Sequence, residues 1–193
     1  MAGKNAQSEY YDPLSRFLHW VMAVSIIYNL LTGYLMLFFL DDPQQFTVLS
    51  EINISLAYVG FNLFVLRWVW SFFRREVTAI PGVSVLQQHL AHLVHSLLYF
   101  NLFVVYVSGL LMMKHPFEVF GLVTINNLIN TLEVNNFFFS LHRFSCVSLT
   151  LLILLHVLAA LKHQWLAKNN VLYRMLGPVG GKALLRMGRN RLV

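Results

Sequence analysis

Apolar residues run along this chain in four long blocks, each bounded by charged or turn-forming residues, and short alternating stretches are rare. The blocks cover about 14–40, 51–74, 84–113 and 137–163. Between their ends they carry almost no charge, with Arg16 at the start of the first, Arg67 inside the second, none in the third and Arg143 near the start of the fourth. A helix of about 20 apolar residues crosses roughly 30 Å of hydrocarbon, so every block is long enough to span a bilayer. Lipid offers backbone groups no hydrogen-bonding partner, and a closed barrel would need many short alternating strands instead. The pattern therefore predicts an all-α integral membrane four-helix bundle. Its connections are a short loop over 41–50, a second over 75–84 with Pro81 and Gly82, and a longer one over 114–136. Phe117 to Phe120 and Phe137 to Phe139 would lie at the membrane interface or cover a site from outside. No repeat or linker divides the chain, which reads as one domain over 1–176 followed by a basic tail over 177–193.

Composition agrees with the pattern: 58% of residues are hydrophobic, 11% are charged and mean hydropathy is +0.62, values foreign to a soluble domain. The first block exceeds the 7 to 15 apolar residues of a typical signal peptide, so it reads as a retained helix. The net charge of +6 is distributed unevenly. If the helices alternate, Lys4, Arg16, Arg74, Arg75, Lys162, Lys168, Arg174, Lys182, Arg186, Arg189 and Arg191 fall on one side. Lys114 and Arg143 fall on the other, with Asp41, Asp42, Glu51, Glu118 and Glu133. The positive-inside rule then makes both termini cytoplasmic. The basic tail suits anionic lipid, and nothing calls for nucleic acid. The single Cys146 rules out an intrachain disulfide.

Eight histidines in so apolar a chain are its main chemical signal, because ionisable groups inside a membrane tend to face a bundle interior. His142 and His156 are fourteen residues apart, which returns both rings to nearly one helix face about 21 Å apart along the axis. Two stacked haem sites would fit that separation. His19 and His156 fall at one depth on the cytoplasmic side, and two imidazoles facing one iron make a six-coordinate haem b that carries single electrons. For His142 no partner histidine occurs between His19 and His89; His115 has the right depth but precedes Pro116, and Met112 and Met113 are capable but more often fill gaps. The residues thus supply both ligands for one haem and a single ligand for a second. His89, His92 and His95 form a stripe that could hold propionates, a quinone carbonyl or zinc, or simply meet water. His163 points roughly as His156 does and could serve a quinone oxygen. Arg16, Arg67 and Arg74 could pair with propionates or snorkel to headgroups. Asn29, Asn62 and Asn101, one in each of three blocks, read as bonds between helices.

In order and spacing these residues resemble the bacterial cytochrome b561 family, over about residues 11 to 176. The likeness lies in Arg16-x-x-His19-Trp20, His92-Leu-Val-His95, Gly109-Leu-Leu-Met-Met113, Phe120-Gly-Leu122, the His142/His156 pair, Ala159-Ala-Leu-Lys-His163 and Leu172-Tyr-Arg-Met175. The resemblance implies a multi-pass protein of the bacterial inner membrane with two haems b, one between the first and fourth helices and one between the second and fourth. His19 and His156 match the ligands of the cytoplasmic haem and His142 matches one ligand of the outer haem. Where the family has a further histidine, this chain has Asn53 to Tyr58. The implied function is electron transfer between a donor or partner protein and ubiquinone or another quinone. Alternatives are a superoxide:ubiquinone oxidoreductase, which the acidic outer loops disfavour, and a non-catalytic membrane subunit that has lost part of its haem set.

Overall fold

A computed structural model describes residues 9–74, 77–78, 82–167, 169, 171–178 and 180. Of the basic tail over 177–193, only 177, 178 and 180 belong to this set. Lys4, Arg75, Pro81, Lys168, Lys182, Arg186, Arg189 and Arg191 lie outside the described residues.

Four helices of membrane-spanning length and apolarity form the molecule: α1 (Pro13–Leu35), α2 (Pro43–Phe73), α3 (Val85–Leu111) and α4 (Leu132–Trp165). Their starts are written locally. Asp12 and Asp42 each cap a helix whose first residue is proline, accepting from the backbone N–H groups of Ser15 and Gln45. Ser84 and Gln87 close a reciprocal capping box on α3. Lys162 and His163 sit in the last turn of α4, where cations complement the helix dipole.

Two boundaries differ from the sequence reading. α2 begins at Pro43, so most of the expected loop over 41–50 is helix, because the Asp42–Pro43 start signal outweighs the polarity of Gln44 and Gln45. α4 begins at Leu132, which places Phe137, Phe138 and Phe139 inside a helix and not in a covering loop. The connection between α3 and α4 also holds an unexpected hairpin, β1 (Phe117–Val119) against β2 (Val123–Ile125), with Phe117 opposite Ile125 and Val119 opposite Val123. Its tip, Phe120 and Gly121, has φ of 52° and 69°, the positive values of a primed turn.

Packing is that of a protein with lipid around it. Side chains such as Leu31, Phe100, Phe144 and Leu151 face outward, while the shared core is small: Met22, Ile26, Phe64, Leu102, Tyr106 and Leu149. α1 packs along α2 and α3 along α4, with little direct backbone approach between α1 and α4. Those two helices meet through side chains, Tyr34 with Thr150 at 2.9 Å and His19 with His156. The asparagine expectation needs correction. Asn62 donates to Tyr58 on its own helix, and Asn29 Oδ1 and Asn101 Nδ2 are buried without partners among the described residues. The asparagine that bonds α1 to α2 is Asn53, which donates to the Asn29 carbonyl at 2.8 Å and to Thr32 Oγ1 at 2.7 Å.

One end of the bundle gathers residues 10–20 and 173–178. There Asp12 accepts from Trp70, the Tyr10 and Tyr173 hydroxyls meet, and Tyr11 N–H donates to the Arg174 carbonyl. Helical residues 171–178 are clasped further by Arg16 Nη1 to the Leu176 carbonyl at 3.2 Å and Trp20 Nε1 to the Met175 carbonyl at 3.2 Å. Gly177 has φ of 76° and lies against the Arg16 guanidinium, so a side chain there would meet both a left-handed backbone and a collision. The opposite end is closed by the hairpin, whose buried Phe117 and Val119 lie on the inner face of β1. Ser55, buried in α2, donates to the Glu118 carbonyl at 3.4 Å and accepts from Phe120 N–H at 2.9 Å. Tyr58 adds an edge-on contact with Phe117.

Candidate haem site

At the end where residues 10–20 meet residues 173–178, three histidines from three helices converge. His19 on α1 and His156 on α4 have ring centres 6.4 Å apart, and His95 on α3 lies 5.1 Å from His156. Two imidazoles bound through nitrogen to opposite faces of one metal, each at about 2 Å, have ring centres roughly 6 to 6.5 Å apart. The His19–His156 spacing meets that requirement and the shorter His95–His156 contact does not. Neither His19 nor His156 makes a hydrogen bond among the described residues, whereas His95 Nδ1 donates to the Ala91 carbonyl of its own helix at 2.6 Å. A pair of unengaged imidazoles at trans-ligand distance, between two helices whose backbones stay apart, fits a bis-histidine haem.

The surrounding polar groups have definite positions. Arg67, half-buried on α2, does not snorkel: its Nε donates to Tyr99 Oη at 3.1 Å and its Nη1 to the Ser15 carbonyl at 3.3 Å. Arg16 holds Leu176 and keeps a buried Nε without a partner. Arg74 is exposed, over the Tyr11 ring at 5.3 Å. His89 and His92 are exposed on α3 and stand apart from the ring cluster, and His163 is half-buried with its Nδ1 3.4 Å from Asn169 Nδ2. Among the described residues no group of three or more His, Cys, Asp or Glu has the geometry to hold a metal ion, so the zinc reading of the α3 stripe finds no support.

His142 has a different setting. Its Nδ1 donates to the Val105 carbonyl at 3.0 Å, beside Ser108 Oγ at 3.4 Å, and its Nε2 lies 3.5 Å from Cys146 Sγ. The ring rests where a side chain on Gly109 would be, since a Cβ there would come within 3.1 Å of it. An Nδ1–H on a carbonyl would suit a metal ligand, but the nitrogen that would face a metal meets a thiol. Across the bundle, the stretch Asn53 to Tyr58 is engaged by Asn29, Thr32 and the hairpin, and His115 is exposed in the loop. The residues of this end do not fit a second haem. The hairpin and the role of Ser55 were missed from sequence, and the Phe120-Gly121 turn was the one available signal.

The sequence profile of the family described as prokaryotic cytochrome b561 matches residues 10–178, nearly the whole chain. The chain belongs to the prokaryotic cytochrome b561 family. It is also similar to cytochrome b561 homolog 2 of Escherichia coli (strain K12), 26% identical over 173 residues, which cover 88% of this chain and 92% of that protein. Membership of the b561 family, with four membrane-length apolar helices, makes this a bacterial membrane protein of a haem-binding, electron-transferring group. The expected all-α membrane bundle is the observed one.

Proposed function

We propose that this chain is a haem b cytochrome of the bacterial inner membrane, moving single electrons between a donor or partner protein and the quinone pool. The observation that carries the reading is the 6.4 Å spacing of the His19 and His156 rings, with neither ring hydrogen-bonded among the described residues. Haem b, when bound, would supply one-electron exchange. His19 and His156 would hold it. The unpartnered Nε–H of Arg16, within a turn of His19, would meet a propionate carboxylate. His95, beside His156, and His92 and His163 further out are the polar groups from which a quinone carbonyl would be held. The described cations Arg16, Arg74, Lys162 and Arg174 favour a cytoplasmic orientation for this end under the positive-inside rule.

His142, Ser55 and the hairpin support one haem per chain. That count favours a second, narrower reading as a specialised cytochrome subunit whose outer redox site has become a structural joint. The superoxide oxidase alternative has weaker support, since the hairpin end carries Asp41, Asp42, Glu51, Glu118 and Glu133 against Lys114 and Arg143, a balance that would repel an anion. A pyridine haemochrome assay on purified protein tests the count. One haem per chain, with a reduced-minus-oxidised cytochrome b spectrum and re-oxidation by a soluble ubiquinone, supports the proposal. No haem, or two, overturns it.

A further inference from the structure

Arg67 is placed by its hydrogen bonds against two of the three histidine-bearing helices of the ring cluster, α1 and α3. The Ser15 carbonyl that takes its Nη1 is the one that accepts the helical N–H of His19, four residues on, so the guanidinium sits within a turn of that ligand. Tyr99, which takes its Nε, is four residues beyond His95 and on the same face of α3. Both acceptors are neutral, and among the described residues no carboxylate lies within ion-pair distance of Arg67. Asp12 is turned to Ser15 and Trp70 instead. A fixed cation that is half-buried and unscreened by a counter-ion acts more strongly than one in water.

We infer that Arg67 is a positioning residue for redox potential: a pinned, uncompensated positive charge that favours the reduced iron held by His19 and His156. Ferric haem carries one more positive charge than ferrous haem, so a neighbouring cation opposes loss of the electron. Charge near the centre and burial are the levers by which a protein sets such potentials. The inference rests on the proposed His19/His156 haem. Its physical content is that the charge of Arg67 matters, and that Tyr99 and Ser15 keep it from swinging out to the headgroups.

The test is an equilibrium redox titration of the purified, haem-loaded protein, following the reduced cytochrome band. At the potential that half-reduces the unmodified protein, Arg67→Gln should show a reduced-to-oxidised ratio about tenfold lower, equivalent to a midpoint about 59 mV lower for one electron. Arg67→Lys should recover most of the loss. A purely structural arginine would lower the melting temperature without separating Lys from Gln in potential. Tyr99→Phe keeps the charge but removes one tether, and should lower the midpoint in the same direction by less; it serves as the probe if Arg67→Gln does not fold. A normal cytochrome spectrum with midpoints unchanged in Arg67→Gln, or in Tyr99→Phe where only that variant folds, overturns the inference. Absence of any haem spectrum in the unmodified protein would instead overturn the function on which it rests.

Discussion

Around His156 the neighbours are two other imidazoles, from α1 and α3, and the side chains that surround them are arginines, a tyrosine and a tryptophan. Around His142, fourteen residues earlier in the same helix, the neighbours are a carbonyl, a hydroxyl, a thiol and the bare Cα of Gly109. The difference lies in how the ring nitrogens are used. His142 has both engaged within the protein, so it joins α3 to α4. His19 and His156, both half-buried, leave their ring nitrogens without hydrogen bonds among the described residues, which keeps them open to a metal. Identical residue types at helix-repeat spacing thus differ: one end, proposed to hold haem, leaves the His19 and His156 imidazoles free of such bonds, and the other is fastened.

The sharpest way to break this contrast is to remove each histidine in turn. His19→Ala and His156→Ala should each abolish the cytochrome b spectrum and the haem content measured as pyridine haemochrome. His142→Ala should leave haem content and spectrum intact, while the unsatisfied Val105 carbonyl and the space beside Gly109 lower stability by about 2 to 4 kcal/mol, read from melting in detergent. Haem loss in the His142 variant would erase the distinction between the two ends.

Smaller effects sharpen it. Ser55→Ala leaves the Phe120 N–H without its acceptor and should cost about 1 to 2 kcal/mol. Amide hydrogen exchange should then rise over residues 117–125 and not around His19. Asp12→Ala removes the cap of α1 and should cost about 1 kcal/mol. Partial burial raises the Asp12 carboxyl, but donors from Ser15 and Trp70 outweigh it and hold the group below the usual carboxylate value of 3.8. Its stabilising contribution is therefore complete above that value and is lost as pH falls through the lower folded value. Melting of the unmodified protein should drop more steeply toward acid than that of the Asp12→Ala variant.

The four spans were legible because lipid imposes a length and a polarity that composition cannot disguise, and the His19/His156 pair was legible because two depths could be counted from the charged ends. Helix starts were harder: the second block was read as opening at about 51 after a short loop over 41–50, although Asp42-Pro43 is a start signal in its own right. Asn53 outranked Asn62 as a tie between helices because rotation about the helix axis, which sequence spacing does not fix, decides which amide meets a neighbour. The hairpin stayed hidden because its strands span three residues each and their partner is a serine on another element. The engagement of His142 by Cys146, one turn along the same helix, was open to inspection but gains meaning only once Gly109 brings α3 close.

Gly177 should behave, in a saturation mutagenesis screen for assembled cytochrome, like a residue far more important than its remoteness from either ring suggests. Every alternative amino acid would have to push Arg16 aside while twisting an unwilling backbone, and the displaced arginine belongs to the same turn that presents His19. A defect introduced beyond the last membrane crossing would thus be felt at the first.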